Sequence, residues 1–129
     1  MYHEVNLLES EGRADQAIKA LKDIVESTRK TTYSSAERSN RAVFLERLGA
    51  MYRSNGQYDE AVATFQELRT LSKELEPRGA AQVSDTYRQA KQFRKAADEI
   101  EPVYKKNSDD RMVAVVRATV LADLGKADE

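Results

Sequence analysis

The chain of 129 residues contains no cysteine, one histidine, two prolines and five glycines. Without cysteine it has no disulfide, thiolate metal site or cysteine nucleophile. The scattered glycines form no phosphate-binding loop, and no nucleotide-binding, serine-hydrolase or zinc-protease motif occurs. His3 has no second histidine or acidic motif beside it, so we interpret it as an exposed residue near a chain end. These absences argue against an enzyme, and we expect no catalytic residue, cofactor or metal.

An excess of one charge and long apolar runs are also missing. The 21 basic and 22 acidic residues give a formal net charge of -1, so no overall field attracts nucleic acid or an anionic membrane. No apolar stretch approaches the roughly 20 residues of a membrane-spanning helix, and the N-terminus lacks the pattern of a signal peptide. We therefore expect no nucleic-acid partner and no membrane insertion, and a cytoplasmic location is favoured.

What the chain has is helical periodicity. Apolar residues make up 40% and charged residues 33%, a balance that suits helices with one wet face. In residues 45–65, an apolar stripe that includes Leu48 and Tyr52 has helical spacing and breaks at Gly56. A second apolar set, which includes Phe65, follows the break. This pattern predicts a helix, a tight turn and a second helix.

The same pattern recurs 44 residues upstream and 35 residues downstream of this unit. The matched sets are Gly12, Gly56 and Lys91 at the turn; Ala17, Ala61 and Ala96 at a small position; Leu8, Tyr52 and Tyr87 in the first helix; and Leu21, Phe65 and Ile100 in the second. A further 34 residues leads from Tyr87 to Leu121 and from Lys91 to Gly125. Sets that shift together indicate repeated units, each of which must stack on its neighbour to bury its apolar faces.

The stretch LGAMYRSNGQYDEAVATF, residues 48–65, resembles the tetratricopeptide repeat signature. Leu48, Gly49 and Tyr52 match its first helix, Gly56 its turn, and Phe65 its second helix. The resemblance implies an all-α, right-handed α-solenoid of antiparallel helical hairpins. It also implies a role in protein–protein interaction without catalysis. Stretched repeats, such as those of the kinesin-light-chain type, show similar spacing.

We expect one domain of about seven helices, at approximately residues 2–10, 14–29, 35–54, 58–75, 79–90, 93–106 and 110–124. The repeat units cover about residues 1–30, 35–75 and 78–107, with a half repeat at 109–129. The extra residues of the stretched repeat are placed around Lys30–Ser35. Glu67 is placed on a wet helix face. The pair Asp109–Asp110 is interpreted as a helix cap rather than a metal site.

In tetratricopeptide arrays, the inner face of each first helix usually lines a concave groove. The candidate partner-binding residues that this implies are Asn6, Arg47, Ala50, Arg53, Arg78, Gln82, Asp85, Arg88 and Gln89. Their mixture of basic, acidic and amide side chains favours a polar peptide segment as the ligand. The alternative interpretation is that this face is simply solvated.

A more specific family function does not fit the sequence. Relatives that bind chaperone tails grip a terminal carboxylate with a clamp of lysine, asparagine and arginine side chains. Four of the matching positions here hold residues that do not fit the clamp, namely Glu46, Ala50, Ala81 and Asp85. Only Asn6, at a further matching position, fits it. Two functions remain open: a scaffold module that binds a partner peptide or protein through the concave face or an edge, and a regulatory or sensor domain of a larger, bacterial-type signalling or transcription protein.

The last residues, LADLGKADE, match the end of a first helix and its turn, so we expect the chain to stop inside a repeat. The final helix is apolar on two stripes. The first stripe is Val113, Val116, Val120 and Leu124, and the second is Ala114, Ala118 and Leu121. One stripe is expected to pack on the preceding hairpin and the other to remain open to water. An exposed apolar edge tends to recruit a neighbour, so we expect either that the chain is a fragment of a longer array or that the isolated chain self-associates end to end through residues 112–124.

Overall fold

The structure is a computed structural model that describes residues 13–128, and all of its regular secondary structure is α-helical. Over this range the helices are α1 (Ala14–Ser27), α2 (Ser35–Ser54), α3 (Tyr58–Arg69), α4 (Glu76–Gln89), α5 (Phe93–Lys106) and α6 (Arg111–Asp128). Each helix packs against its neighbour in sequence, and α4 also packs against α6. The predicted all-α array of hairpins is therefore confirmed. The predicted helix at residues 2–10 lies outside the described residues.

Two helices begin at residues whose side chains cap them. The Ser34 hydroxyl accepts a hydrogen bond from the Glu37 backbone N–H, and the Glu37 carboxylate accepts one from the Ser34 N–H at 2.9 Å, so a capping box starts α2. At the start of α6, Asp110 Oδ1 accepts a hydrogen bond from the Val113 N–H at 3.1 Å. The interpretation of the acidic pair as a helix cap is confirmed for Asp110. Both α2 and α5 also have the predicted bounds.

The predicted end of α3 at residue 75 is wrong, because the helix ends at Arg69. The Thr70 hydroxyl bonds to a carbonyl oxygen of the last turn at 2.9 Å, and the chain then continues through turns to α4. Leu71 and Leu75 are partly buried against the core from this connection. Their spacing from Leu68 imitates helical periodicity, so an apolar pattern alone does not distinguish a helix from a well-packed turn.

The helices α4 and α6 lie where they were predicted, and their limits differ by a few residues for reasons that concern single residues. The helix α4 begins at Glu76 rather than residue 79, and Pro77 stands in its first turn. A proline there leaves no helical hydrogen bond unmade, because the first backbone N–H groups have no partner within the helix. The helix α6 continues through Gly125 to Asp128. One glycine costs about 1 kcal/mol relative to alanine, which does not end a helix by itself.

The turns that follow α2 and α4 have the same geometry although only one contains glycine. The Gly56 N–H bonds to the Arg53 carbonyl oxygen at 3.1 Å, and the Lys91 N–H bonds to the Arg88 carbonyl oxygen at 2.9 Å. The φ angle is 77° at Gly56 and 64° at Lys91, so both residues adopt the left-handed conformation that closes a helix. Lys91 therefore occupies the position of the turn glycine, as the repeat alignment predicted.

Replacing Lys91 with glycine is expected to raise the free energy of unfolding by about 1 kcal/mol, because a Cβ is disfavoured in the left-handed region. The reverse change, Gly56→Lys, is expected to lower it by a similar amount. A Cβ added at Gly56 meets nothing within 4 Å, so backbone strain alone sets the effect. Urea denaturation followed by circular dichroism measures both changes. Two variants as stable as the parent chain would contradict the equivalence of the turns.

Small residues let the two helices of a hairpin approach closely. Ala61 and Phe65 of α3 have no exposed surface, and a Cβ added at Gly49 of α2 would lie 2.5 Å from the Phe65 ring. In the next hairpin Ser84 is fully buried, and its hydroxyl donates a hydrogen bond to the Ala96 carbonyl oxygen at 2.7 Å. The second helix thus covers the small position of the first helix in both hairpins.

An ion pair between the buried Arg41 of α2 and the partly exposed Glu67 of α3 corrects the placement of Glu67 on a wet face. Arg41 is only 3% exposed, and its guanidinium donates to the Glu67 carboxylate at 2.7 and 3.2 Å. The same guanidinium donates to the Val25 carbonyl oxygen of α1 at 3.0 Å. Glu67 therefore lies on the edge of α3 that faces its neighbours. The long arginine side chain reaches this edge from a different helix, which a wheel drawn for one helix does not show.

Candidate functional site

The first helices of successive hairpins are joined by a cluster that we call the polar network. It consists of Arg53 of α2; Gln82, Asp85, Arg88 and Gln89 of α4; and Asp123 of α6. The Arg53 guanidinium donates to the Gln82 amide oxygen at 2.9 Å and lies 3.6 Å from the Asp85 carboxylate. Arg88 donates to Asp85 at 2.9 Å and to Asp123 at 3.2 Å. Five of the nine predicted partner-binding residues thus lie together, on two adjoining helices.

Charge in the polar network is balanced within the chain, since two guanidinium groups alternate with two carboxylates in the order Arg53, Asp85, Arg88 and Asp123. Burial lowers the pKa of Arg53, and the charge of Asp85 acts in the opposite direction. The hydrogen bond to Asp85 raises the pKa of Arg88. Both arginines remain charged at neutral pH because a guanidinium is too basic to lose its proton there. The polar network therefore presents an ordered polar surface of low net charge.

A cleft of about 560 Å³ lies between the beginnings of α2 and α4. Arg78 of α4 forms an ion pair with Glu46 of α2 beside it, and about half of the Arg78 side chain is exposed. Val43 also lines the cleft and is 52% exposed, so it offers an apolar surface there. The cleft combines an apolar contact point with charges of both signs.

Arg47 and Ala50 lie apart from the polar network. Together with Ala14 and Met51 they line a shallow cavity of about 290 Å³ between the beginning of α1 and the second half of α2. The residues predicted for one groove are therefore distributed over three places: this cavity, the cleft beside Arg78, and the polar network.

Two of the residues considered from the sequence lie outside the described residues, namely Asn6 and His3. Ala81, which stands at one position of the carboxylate clamp, is almost fully buried and presents no surface to a ligand.

Sequence reasoning missed Arg41, although it stands four residues before Leu45 on the apolar stripe of α2. A charged residue at such a position signals a buried ion pair, because an unpaired buried charge is strongly unfavourable.

The described residues contain no group of three or more histidine, cysteine, aspartate or glutamate side chains placed to hold a metal ion. Across residues 13–128, none of the helices has both the length and the apolar character that crossing a membrane requires.

The fold and these contacts define a helical-repeat protein made of tightly packed hairpins. The tetratricopeptide repeat family matches residues 45–72, a segment that covers the second half of α2 and all of α3. Residues 45–72 are thus a tetratricopeptide-like repeat, and the helical array around them fits a fragment of such a repeat protein. No curated protein matches it. Repeats of this family are in general protein-interaction modules and are typically not catalytic.

Proposed function

We propose that the chain binds a peptide segment of a partner protein across α2 and α4, in the cleft beside Val43 and along the polar network. The observation that supports this proposal is the continuity of the surface from one repeat to the next. Arg53 connects α2 to α4, and Arg88 connects α4 to α6. A peptide laid across these helices contacts successive repeats at once, on side chains that internal hydrogen bonds already hold in position.

The chemistry of the ligand follows from the internal pairing. A strongly acidic peptide would have to displace Asp85 and Asp123 from the two arginines and would break hydrogen bonds that already exist. The amides of Gln82 and Gln89 can both donate and accept hydrogen bonds, as a peptide backbone does. Val43 offers an apolar contact. We therefore propose an uncharged or mixed-charge peptide with at least one apolar side chain as the ligand.

The double substitution Val43→Glu/Arg78→Glu is expected to weaken peptide binding at least about tenfold. It removes the apolar contact and reverses one charge of the cleft. Both side chains are about half exposed, so the fold should be retained. Peptides selected from a displayed random library on the full chain supply the probes, and fluorescence anisotropy measures their affinities for the parent chain and the variant.

A matched control carries the same two types of change on exposed positions of the second helices, Ala63→Glu/Lys105→Glu. This control is expected to bind the selected peptides with unchanged affinity. The proposal is wrong if the library yields no binding peptide, or if the control and the cleft variant lose affinity equally.

A further inference from the structure

The last described helix presents an apolar face that no helix among the described residues covers. We call it the α6 face, and it consists of Ala114, Val115, Ala118, Leu121 and Ala122. Val115 is 56% exposed and Leu121 is 40% exposed, and these are two of the four large apolar side chains that the structure leaves most open. Ala118 and Ala122 are exposed as well, whereas Ala114 is half-buried. Water therefore contacts a continuous apolar surface about two helical turns long.

The opposite side of α6 is firmly packed, so this face is held in a fixed position. Val113 and Val120 have no exposed surface. Arg117 donates to the Glu101 carboxylate of α5 at 2.9 Å, and its guanidinium stacks over the Tyr104 ring at 4.3 Å. Because the buried valines belong to the core, their replacement by charged residues would unfold the helix. A test of the α6 face has to use its exposed residues instead.

The internal repeat shows what kind of element covers such a face. Ala118 follows Ser84 by 34 residues, and Ser84 follows Gly49 by 35. Gly49 lies directly under the Phe65 ring of α3, and Ser84 bonds to the backbone of α5. In both hairpins, an antiparallel helix therefore covers this position. The exposed Ala118 is the equivalent position, so the geometry favours a helix as its occupant.

The arrangement of side chains on the α6 face is symmetric about Ala118. Alanines stand four residues before and after it, at Ala114 and Ala122. Large apolar side chains stand three residues before and after it, at Val115 and Leu121. On a helix, the alanines form the middle of the face and the larger residues lie on either side of it. We infer that the α6 face pairs with the α6 face of a second copy of this chain, antiparallel, with a two-fold axis at Ala118.

Self-pairing needs a surface that is complementary to itself, since a two-fold interface uses the same patch twice. The alanines allow the two backbones to approach closely, as Gly49 allows in the hairpin of α2 and α3. No charged side chain belongs to the α6 face, so the two copies bring no like charges together. One helix pair is smaller than a standard interface of roughly 1,600 Å². We therefore expect a weak dimer, with a Kd on the order of 10–100 µM.

Sedimentation velocity over a range of chain concentrations tests this inference. The full chain is expected to show a monomer–dimer equilibrium, and Val115→Glu/Leu121→Glu is expected to be monomeric with unchanged helicity. The matched control, Val43→Glu/Met112→Glu, removes the other two exposed large apolar side chains and should keep the equilibrium. A parent chain that stays monomeric at every concentration would overturn the inference, as would equal behaviour of the two variants.

Cross-linking tests the antiparallel arrangement, because the chain has no cysteine of its own. Ala118→Cys is expected to form a disulfide-linked dimer on mild oxidation, whereas Val43→Cys is not. A mixture of Val115→Cys and Leu121→Cys should cross-link faster than either variant alone. The two-fold axis would be contradicted if each single variant cross-linked faster than the mixture, or if the chain assembled beyond a dimer. The inference is also overturned if these cysteines on the α6 face are protected from reaction only when another protein's helix is present. That result would assign the face to the other protein.

Discussion

Replacement of Glu67 with alanine is expected to lower the free energy of unfolding by about 1–3 kcal/mol, because it leaves a buried guanidinium without its carboxylate. Arg41 is 3% exposed and donates twice to Glu67. The remaining bond to the Val25 carbonyl oxygen does not neutralise the charge. Glu67 also pairs with Arg29, but that arginine is about half exposed and contributes little. Urea denaturation followed by circular dichroism measures the change.

Two further variants separate the ion pair from a general effect of losing a carboxylate. Asp98 lies on an exposed part of α5, and Asp98→Ala is expected to change stability by less than about 0.5 kcal/mol. The double change Arg41→Leu/Glu67→Leu removes both charges and is expected to cost less than Glu67→Ala alone, since no buried charge is left without a partner. If Glu67→Ala proves as mild as Asp98→Ala, the ion pair does not stabilise the packing of the three helices.

The helices were predictable where local signals and packing agree. The capping box at Ser34 marks the start of α2, and the turn at Gly56 marks its end. Each of these signals comes from residues that are close together in the sequence. At the end of α3 the signals diverge, because Leu71 and Leu75 pack against the core without continuing the helix. The left-handed conformation of Lys91 has no local signal, since lysine disfavours it. It was predictable only from its alignment with Gly56.

The candidate site was predictable in its composition more than in its arrangement. A helical wheel gives the direction of a side chain relative to its own axis, and this was sufficient to group Arg53 with the α4 residues. It does not give the position of the neighbouring helix, so it did not show that Arg47 lies in a separate cavity beside α1. Nor did it show that Arg88 is held between Asp85 and Asp123. Pairing of this kind depends on helix packing, which the repeat pattern alone does not determine.

Substitution of Gly79 by alanine is expected to lower the free energy of unfolding by about 1–3 kcal/mol, the usual cost of overpacking. The added Cβ would lie 2.6 Å from the Arg69 Cα, where the end of α3 crosses the beginning of α4. The nearest atoms include backbone, so relief requires the two helices to separate. Arg69 is also ion-paired with Glu99 of α5, and its displacement would disturb the contact with a third helix.

Gly125→Ala is the matched control, because Gly125 is also helical and a Cβ there meets nothing within 4 Å. Alanine is the better helix former by about 1 kcal/mol, so this change is expected to stabilise the chain by up to that amount. The same gain in helix propensity is available at Gly79, and only the close approach of α3 opposes it. Opposite signs in urea denaturation, with unchanged m-values, would show that helix contact governs Gly79. If both variants are more stable than the parent chain, α3 and α4 do not approach as closely as the structure places them.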